Sequence, residues 1–235
     1  MRLTVPPRIL ADQKSPILAV GLRTPRAAAC AGMVFSILLI TSFWLLRTSV
    51  PSDPGEIGLW LRTSSKRVLF ALNLLPFAGI AFLWFLGVLR DRLGAKEDKF
   101  FATVFLGSGL LFLGMLFVSA AAMGAIILAH NALPGAAFDA DKFAFARAFT
   151  YNLMHIYAFK MVAVFMITTS TLALNTHVTA RWIALLGYAS AAVILIGSGF
   201  LDWVLFVFPC WVLLVSIYIL LDNLKKPPST AVDGR

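Results

Sequence analysis

Three residues capable of chemistry interrupt one apolar run. In Tyr151-Asn152-Leu153-Met154-His155-Ile156-Tyr157-Ala158-Phe159-Lys160-Met161, an amide, an imidazole and an ammonium group stand among mostly apolar side chains. Ionisable groups in such a run are costly in hydrocarbon, so they face a bundle interior or a water-filled cavity. At about 100° per residue, Asn152 and His155 fall roughly 60° apart, and Lys160 falls about 80° from Asn152 on the other side. One broad helical stripe would then hold Asn152, His155 and Lys160 as an intramembrane polar site. In that arrangement Lys160 is the counter-ion for an acidic headgroup or substrate, and His155 exchanges a proton. The structural alternative is helix-to-helix hydrogen bonding by Asn152 and His155, with Lys160 snorkelling to the interface. Lys160 sits near the middle of the run, which makes a snorkelling reach long. Thr168, Thr169, Ser170 and Thr171 add hydroxyls further along the same segment.

Little else in the chain carries recognisable chemistry. The histidines are His130, His155 and His177. An alternative pairs His130 with His155 as axial haem ligands between two helices. A zinc or di-metal site needs three or four clustered ligands, and no such cluster is present, so no metal and no cofactor is expected. No Ser-His-Asp set, phosphate loop or HExxH motif occurs. Asp139, Asp141 and Asp202 fall at segment ends or in loops. No acidic residue lies within an apolar segment, which argues against a carrier built on paired carboxylates. These features point to a non-enzymatic membrane protein, either an accessory or scaffold subunit or a small binding module. The alternatives are a transporter or lipid-handling protein using the polar face, and a membrane haem protein or enzyme.

The elements that must position these residues follow from composition. Of 235 residues, 60% are apolar and 13% charged, and the mean hydropathy is +0.88. An average soluble domain has about 25% charged residues, so a soluble enzyme, a nucleic-acid-binding domain and a disordered chain are all excluded. The expected fold is all-α: a polytopic bundle of six membrane helices at about 27–46, 68–89, 101–129, 146–175, 182–201 and 203–221. The membrane domain thus covers 27–221, between tails at 1–26 and 222–235. The last two segments are separated by Leu201-Asp202-Trp203, a tight hairpin marked by the Gly197-Ser198-Gly199 run.

The net charge of +9 belongs to topology and anionic lipid rather than to nucleic acid. With the N-terminus inside, the cytoplasmic parts hold thirteen Lys and Arg residues and the outer parts six, so both termini are expected in the cytoplasm. In the first outer loop, Ile57, Leu59, Trp60 and Leu61 suggest a short interfacial helix. The second cytoplasmic loop, 90–99, is dense in both charge signs and reads as a self-paired turn. Cys30 and Cys210 show neither metal nor disulfide spacing and read as small core residues. Asn73 and Pro76 mark a helix kink. Gly107, Gly109, Gly114, Ala120–Gly124 and Gly187–Ala191 read as close-packing positions. The bilayer is the first partner, and a membrane protein partner or a second copy is the other.

Four stretches carry a resemblance: LNLLPFAGIAFLWFLGVLRDRLG at 72–94, FFATVFLGSGLLF at 100–112, YAFKMVAVFMITTSTLALNT at 157–176 and RWIALLGYASA at 181–191. Together they resemble a group of bacterial integral membrane proteins with no assigned activity. The resemblance implies a multi-pass protein of the bacterial cytoplasmic membrane and implies no catalytic residue.

Overall fold

The computed structural model describes residues 25–49, 63–93, 99–132, 140–176 and 180–225. Among them the chain is all-α. Helix α1 is Pro25–Ser49, α2 Ser65–Leu93 and α3 Lys99–Ala132. Helix α4 runs without a break through Ala140–Tyr151, a π-helical turn Asn152–Ala158, and Phe159–Thr176. Helix α5 is Arg181–Gly197, and α6 is Val207–Lys225, entered through a 3-10 turn at Asp202–Phe206. Five of the six are long and apolar enough to cross a membrane. The sixth, α5, has 17 residues, or about 26 Å at 1.5 Å per residue, just short of a hydrocarbon core. This is a multi-pass membrane protein. The N-terminal tail up to residue 24, the interfacial helix around Trp60, residues 94–98 of the charged 90–99 loop and the C-terminal tail beyond Lys225 lie outside the described residues.

Several boundaries differ from the sequence expectation by a turn or so, and two of them bear on the site. Helix α4 starts at Ala140 rather than 146, because Asp141 favours a helix N-terminus and Phe143 is buried. Helix α5 stops at Gly197 rather than 201. The Phe200 and Leu201 amides both bond back to the Gly197 carbonyl, and Leu201 is extended (φ −129°, ψ 107°). Glycine suits this corner, since a Cβ there would lie 3.0 Å from Val204 Cγ2.

Each helix packs on its neighbours in the chain, and α6 closes back on α1. The ring is filled by phenylalanine. Phe82 on α2 lies at its centre, with ring centroids 4.8 Å from Phe35, 5.7 Å from Phe112, 5.5 Å from Phe165 and 6.0 Å from Phe208. All five side chains are fully buried. Lipid tails are as apolar as leucine, so such a core holds through close packing rather than through escape from water. A second, smaller cluster of Val68, Met123, Ile127 and Phe143 joins the ends of α3 and α4 to the start of α2.

The same indifference to apolar burial corrects one expectation. Cys30 and Cys210 are exposed rather than in the core, since an apolar side chain has nothing to gain by leaving lipid. The small residues divide. A Cβ on Gly187 would overlap Ser170 Oγ and press on Trp211 at 3.1 Å, and one on Gly109 would lie 3.2 Å from Leu86, so both let helices approach closely. Gly107 and Gly114 instead border open space and permit no close contact within the chain. Pro76 is accommodated inside a continuous α2. Asn73 Nδ2 donates to the Leu69 carbonyl at 2.9 Å. Both residues face outward, while Leu72 and Leu75 on the same helix face inward to the cavity described next.

The exposed tryptophans among the described residues lie toward the two ends of the bundle. Trp44 and Trp203 sit at the end of the bundle where α1 finishes and the α5–α6 hairpin turns, while Trp84 and Trp182 sit toward the other. Such belts are where amphipathic rings settle at headgroup level.

Candidate functional site

A cavity of about 360 Å³ opens at the Trp44–Trp203 end of the bundle. Pockets of this size hold small ligands or one part of a larger one. Its walls come from α1, α2, α3, α4 and the 3-10 turn. Phe43, Leu72, Leu75, Leu116, Met123, Met154 and Leu205 make it largely apolar. Arg47, Arg147, Thr150, His155 and Asp202 supply most of its polar groups. Arg47 is exposed and Arg147 half-buried, and the Asp202 side chain is 60% exposed, so the charged groups form the mouth.

Helix α4 builds the polar wall through its π turn. There the Phe159 amide reaches back to the Met154 carbonyl, five residues earlier. A turn of that width holds more than 3.6 residues, so each residue advances by less than 100°, and such turns recur at functional sites. Two carbonyls at its start take side-chain donors. Ser119 Oγ from α3 donates to the Thr150 carbonyl at 3.3 Å, and the His155 ring places Nδ1 3.2 Å from the Tyr151 carbonyl. The imidazole also stacks on the Tyr151 ring, 3.9 Å between centroids and 16° from parallel. Packed in this way, His155 is only 8% exposed. Its Nε2 is buried without a hydrogen-bond partner, as is Thr150 Oγ1. The nearest charged group to Nε2 is Asp202 Oδ1 at 3.8 Å, beyond hydrogen-bonding distance.

The structure does not bring Asn152, His155 and Lys160 onto one inward face. Only His155 lines the cavity; Asn152 and Lys160 are exposed on the outside of the bundle. The 100° phase does not apply across Asn152–Ala158. Lys160 is exposed on the outer surface of α4, where its stem can run along the helix. It lies five residues from His155, about 8 Å along the axis, and helical side chains lean toward the N-terminus, here toward the cavity end. A lysine stem covers most of that distance. Lys160→Met is therefore expected to leave any ligand binding in the cavity unchanged, as measured by ligand titration in detergent. A loss of binding would put Lys160 back in the site.

The other polar residues serve the helices. Thr168 and Thr169 donate to the Phe165 carbonyl at 3.0 and 2.7 Å, and Thr171 to that of Ile167 at 2.9 Å. Thr171 also meets Tyr188 of α5 at 2.6 Å. His130 is absent from the cavity lining, so the pair His130 and His155 is not gathered in one pocket. Among the described residues, no group of three His, Cys, Asp or Glu side chains is placed to hold a metal ion.

The residues not anticipated from sequence are Arg47, Arg147, Thr150 and Asp202. One signal for part of this set was present. Arg147, Thr150, Tyr151 and Met154 recur at helical spacing, a stripe that already lies within the expected segment 146–175.

Comparison with protein-family models, with curated proteins and with solved structures finds no match for this chain.

Proposed function

We propose that this protein is a non-enzymatic binding module of the bacterial cytoplasmic membrane, both termini inside, that holds the head end of an anionic amphiphile. One observation carries the reading: the cavity at the Trp44–Trp203 end combines an apolar wall with two arginines at its mouth. An amphiphile in a membrane meets those two environments in that order. Its apolar portion lies against Leu72, Leu75 and Leu116, and its acidic group meets guanidinium donors at headgroup depth. Arginine suits this role because its planar fork binds carboxylate and phosphate oxygens in pairs. Positive charge surrounding the helix ends on both sides further concentrates anionic lipid at the protein.

The reading is tested by native mass spectrometry of the purified protein titrated with phosphatidylglycerol and, separately, with phosphatidylcholine of the same chains. Saturable binding of one anionic lipid, retained at collision energies that strip phosphatidylcholine, is the expected result. Equal retention of the two lipids would overturn the proposal.

A further inference from the structure

We infer that the ligand's headgroup carries a hydroxyl donor beside its phosphate, and that His155 Nε2 is the acceptor that selects it. The inference rests on the anionic-amphiphile reading above and names the headgroup class.

The cavity's polar groups differ in what they offer a ligand. Arg47, Arg147 and the Thr150 hydroxyl supply donors. Asp202, which when ionised only accepts, lies beside His155, its Oδ1 3.8 Å from Nε2. A backbone carbonyl can only accept, so the 3.2 Å contact between His155 Nδ1 and the Tyr151 carbonyl places a proton on Nδ1. In the neutral ring, Nε2 is then a bare lone pair. It is buried without a hydrogen-bond partner, on a residue that lines the cavity. The Asp202 carboxylate, 3.8 Å away, cannot supply a donor to it. A buried polar atom left this way costs free energy until something donates to it. Thr150 Oγ1 is orphaned in the same cavity and can donate to a phosphate oxygen.

A phosphate in the His155–Asp202 corner would face a lone pair and a negative charge. A hydroxyl there would satisfy Nε2 and have Asp202 within reach as a second acceptor. The phosphate itself belongs between the arginines. With the net charge set by the anionic-amphiphile reading, a hydroxyl donor points to a glycerol-type phosphodiester rather than to an ethanolamine one.

The test uses the full-length protein in detergent and four lipids with identical acyl chains. These are phosphatidylglycerol, phosphatidylethanol (the same charge with no hydroxyl), phosphatidylethanolamine and phosphatidylcholine. A net hydrogen bond from a buried group contributes about 0.5–1.5 kcal/mol, so phosphatidylglycerol should bind about three- to tenfold tighter than phosphatidylethanol. His155→Phe, which keeps the ring stacked on Tyr151, should erase that preference while both anionic lipids still bind better than phosphatidylcholine. Equal affinity for phosphatidylglycerol and phosphatidylethanol in the wild type would overturn the hydroxyl assignment and leave the anionic-site reading standing. Tighter binding of phosphatidylethanolamine than of phosphatidylglycerol would also overturn it. No preference for either anionic lipid over phosphatidylcholine would sink the underlying reading instead. Asn152→Ala, on the exposed face, is the control; a change in selectivity there as large as for His155→Phe would count against the role of His155.

Discussion

Phe82→Ala should be the most destabilising single substitution in the bundle. Phe82 is fully buried and touches rings from α1, α3, α4 and α6 as well as Phe85 on its own helix. In soluble proteins Phe→Ala in a core costs about 3–5 kcal/mol, part from transfer and part from the cavity left behind. Here the unfolded reference is a helix in lipid or detergent, so much of the transfer part falls away. The cavity and lost ring contacts remain, at about 2–3 kcal/mol. Because Phe82 joins the helices of one half of the chain to those of the other, the loss should appear as one cooperative transition at lower temperature. The measurement is thermal unfolding in a mild detergent followed by tryptophan fluorescence. Phe77→Ala, on the same helix but 62% exposed, should shift the midpoint far less. Similar shifts for the two would mean that α2 is held by something other than the aromatic core.

The second large effect concerns ligand binding. Arg47→Gln combined with Arg147→Gln should lower affinity for an anionic lipid by about a hundredfold or more, since hydrogen bonds to charged groups contribute about 1.5–3 kcal/mol each. Arg47 lies at the last turn of α1 and is exposed, so Arg47→Gln alone should reduce binding without lowering the melting temperature. Arg47→Lys should recover only part of the affinity, because an ammonium lacks the planar fork. The assay is again lipid titration by native mass spectrometry, with melting temperature recorded on the same preparations. Unchanged lipid retention in the double variant would remove the arginines from the site.

Much of the fold was legible because membrane helices announce themselves. Long apolar runs bounded by charge gave six segments in the right order, and the hairpin at Gly197–Asp202 followed from small residues and one aspartate. The boundaries failed where polar residues are helical: Asp141 and Lys142 lie on α4, not in a loop. The interior was less legible. In water, burial sorts apolar from polar; in lipid it does not, so Cys30 and Cys210 face outward and the phenylalanine core has no sequence period of its own to betray it. The candidate site was half visible. His155 stood out as an ionisable group in an apolar run, but the π turn widens the angle between it and Asn152, and Lys160, about 140° from His155 even at 100° per residue, lies on the outer surface. Nothing in residue spacing marks a π turn. The arginines were visible as topology signals, and their place on one cavity with His155 depends on α1, α4 and the α5–α6 hairpin meeting at one end of the bundle.

The most direct test of an anionic amphiphile in this cavity is a crystal structure grown from a lipidic mesophase doped with phosphatidylglycerol. The account predicts phosphate density between Arg47 and Arg147, a headgroup oxygen within hydrogen-bonding distance of His155 Nε2, and an acyl chain against Leu75 and Leu116. A cavity filled only by ordered water, or closed by its own side chains in the presence of saturating lipid, would contradict it.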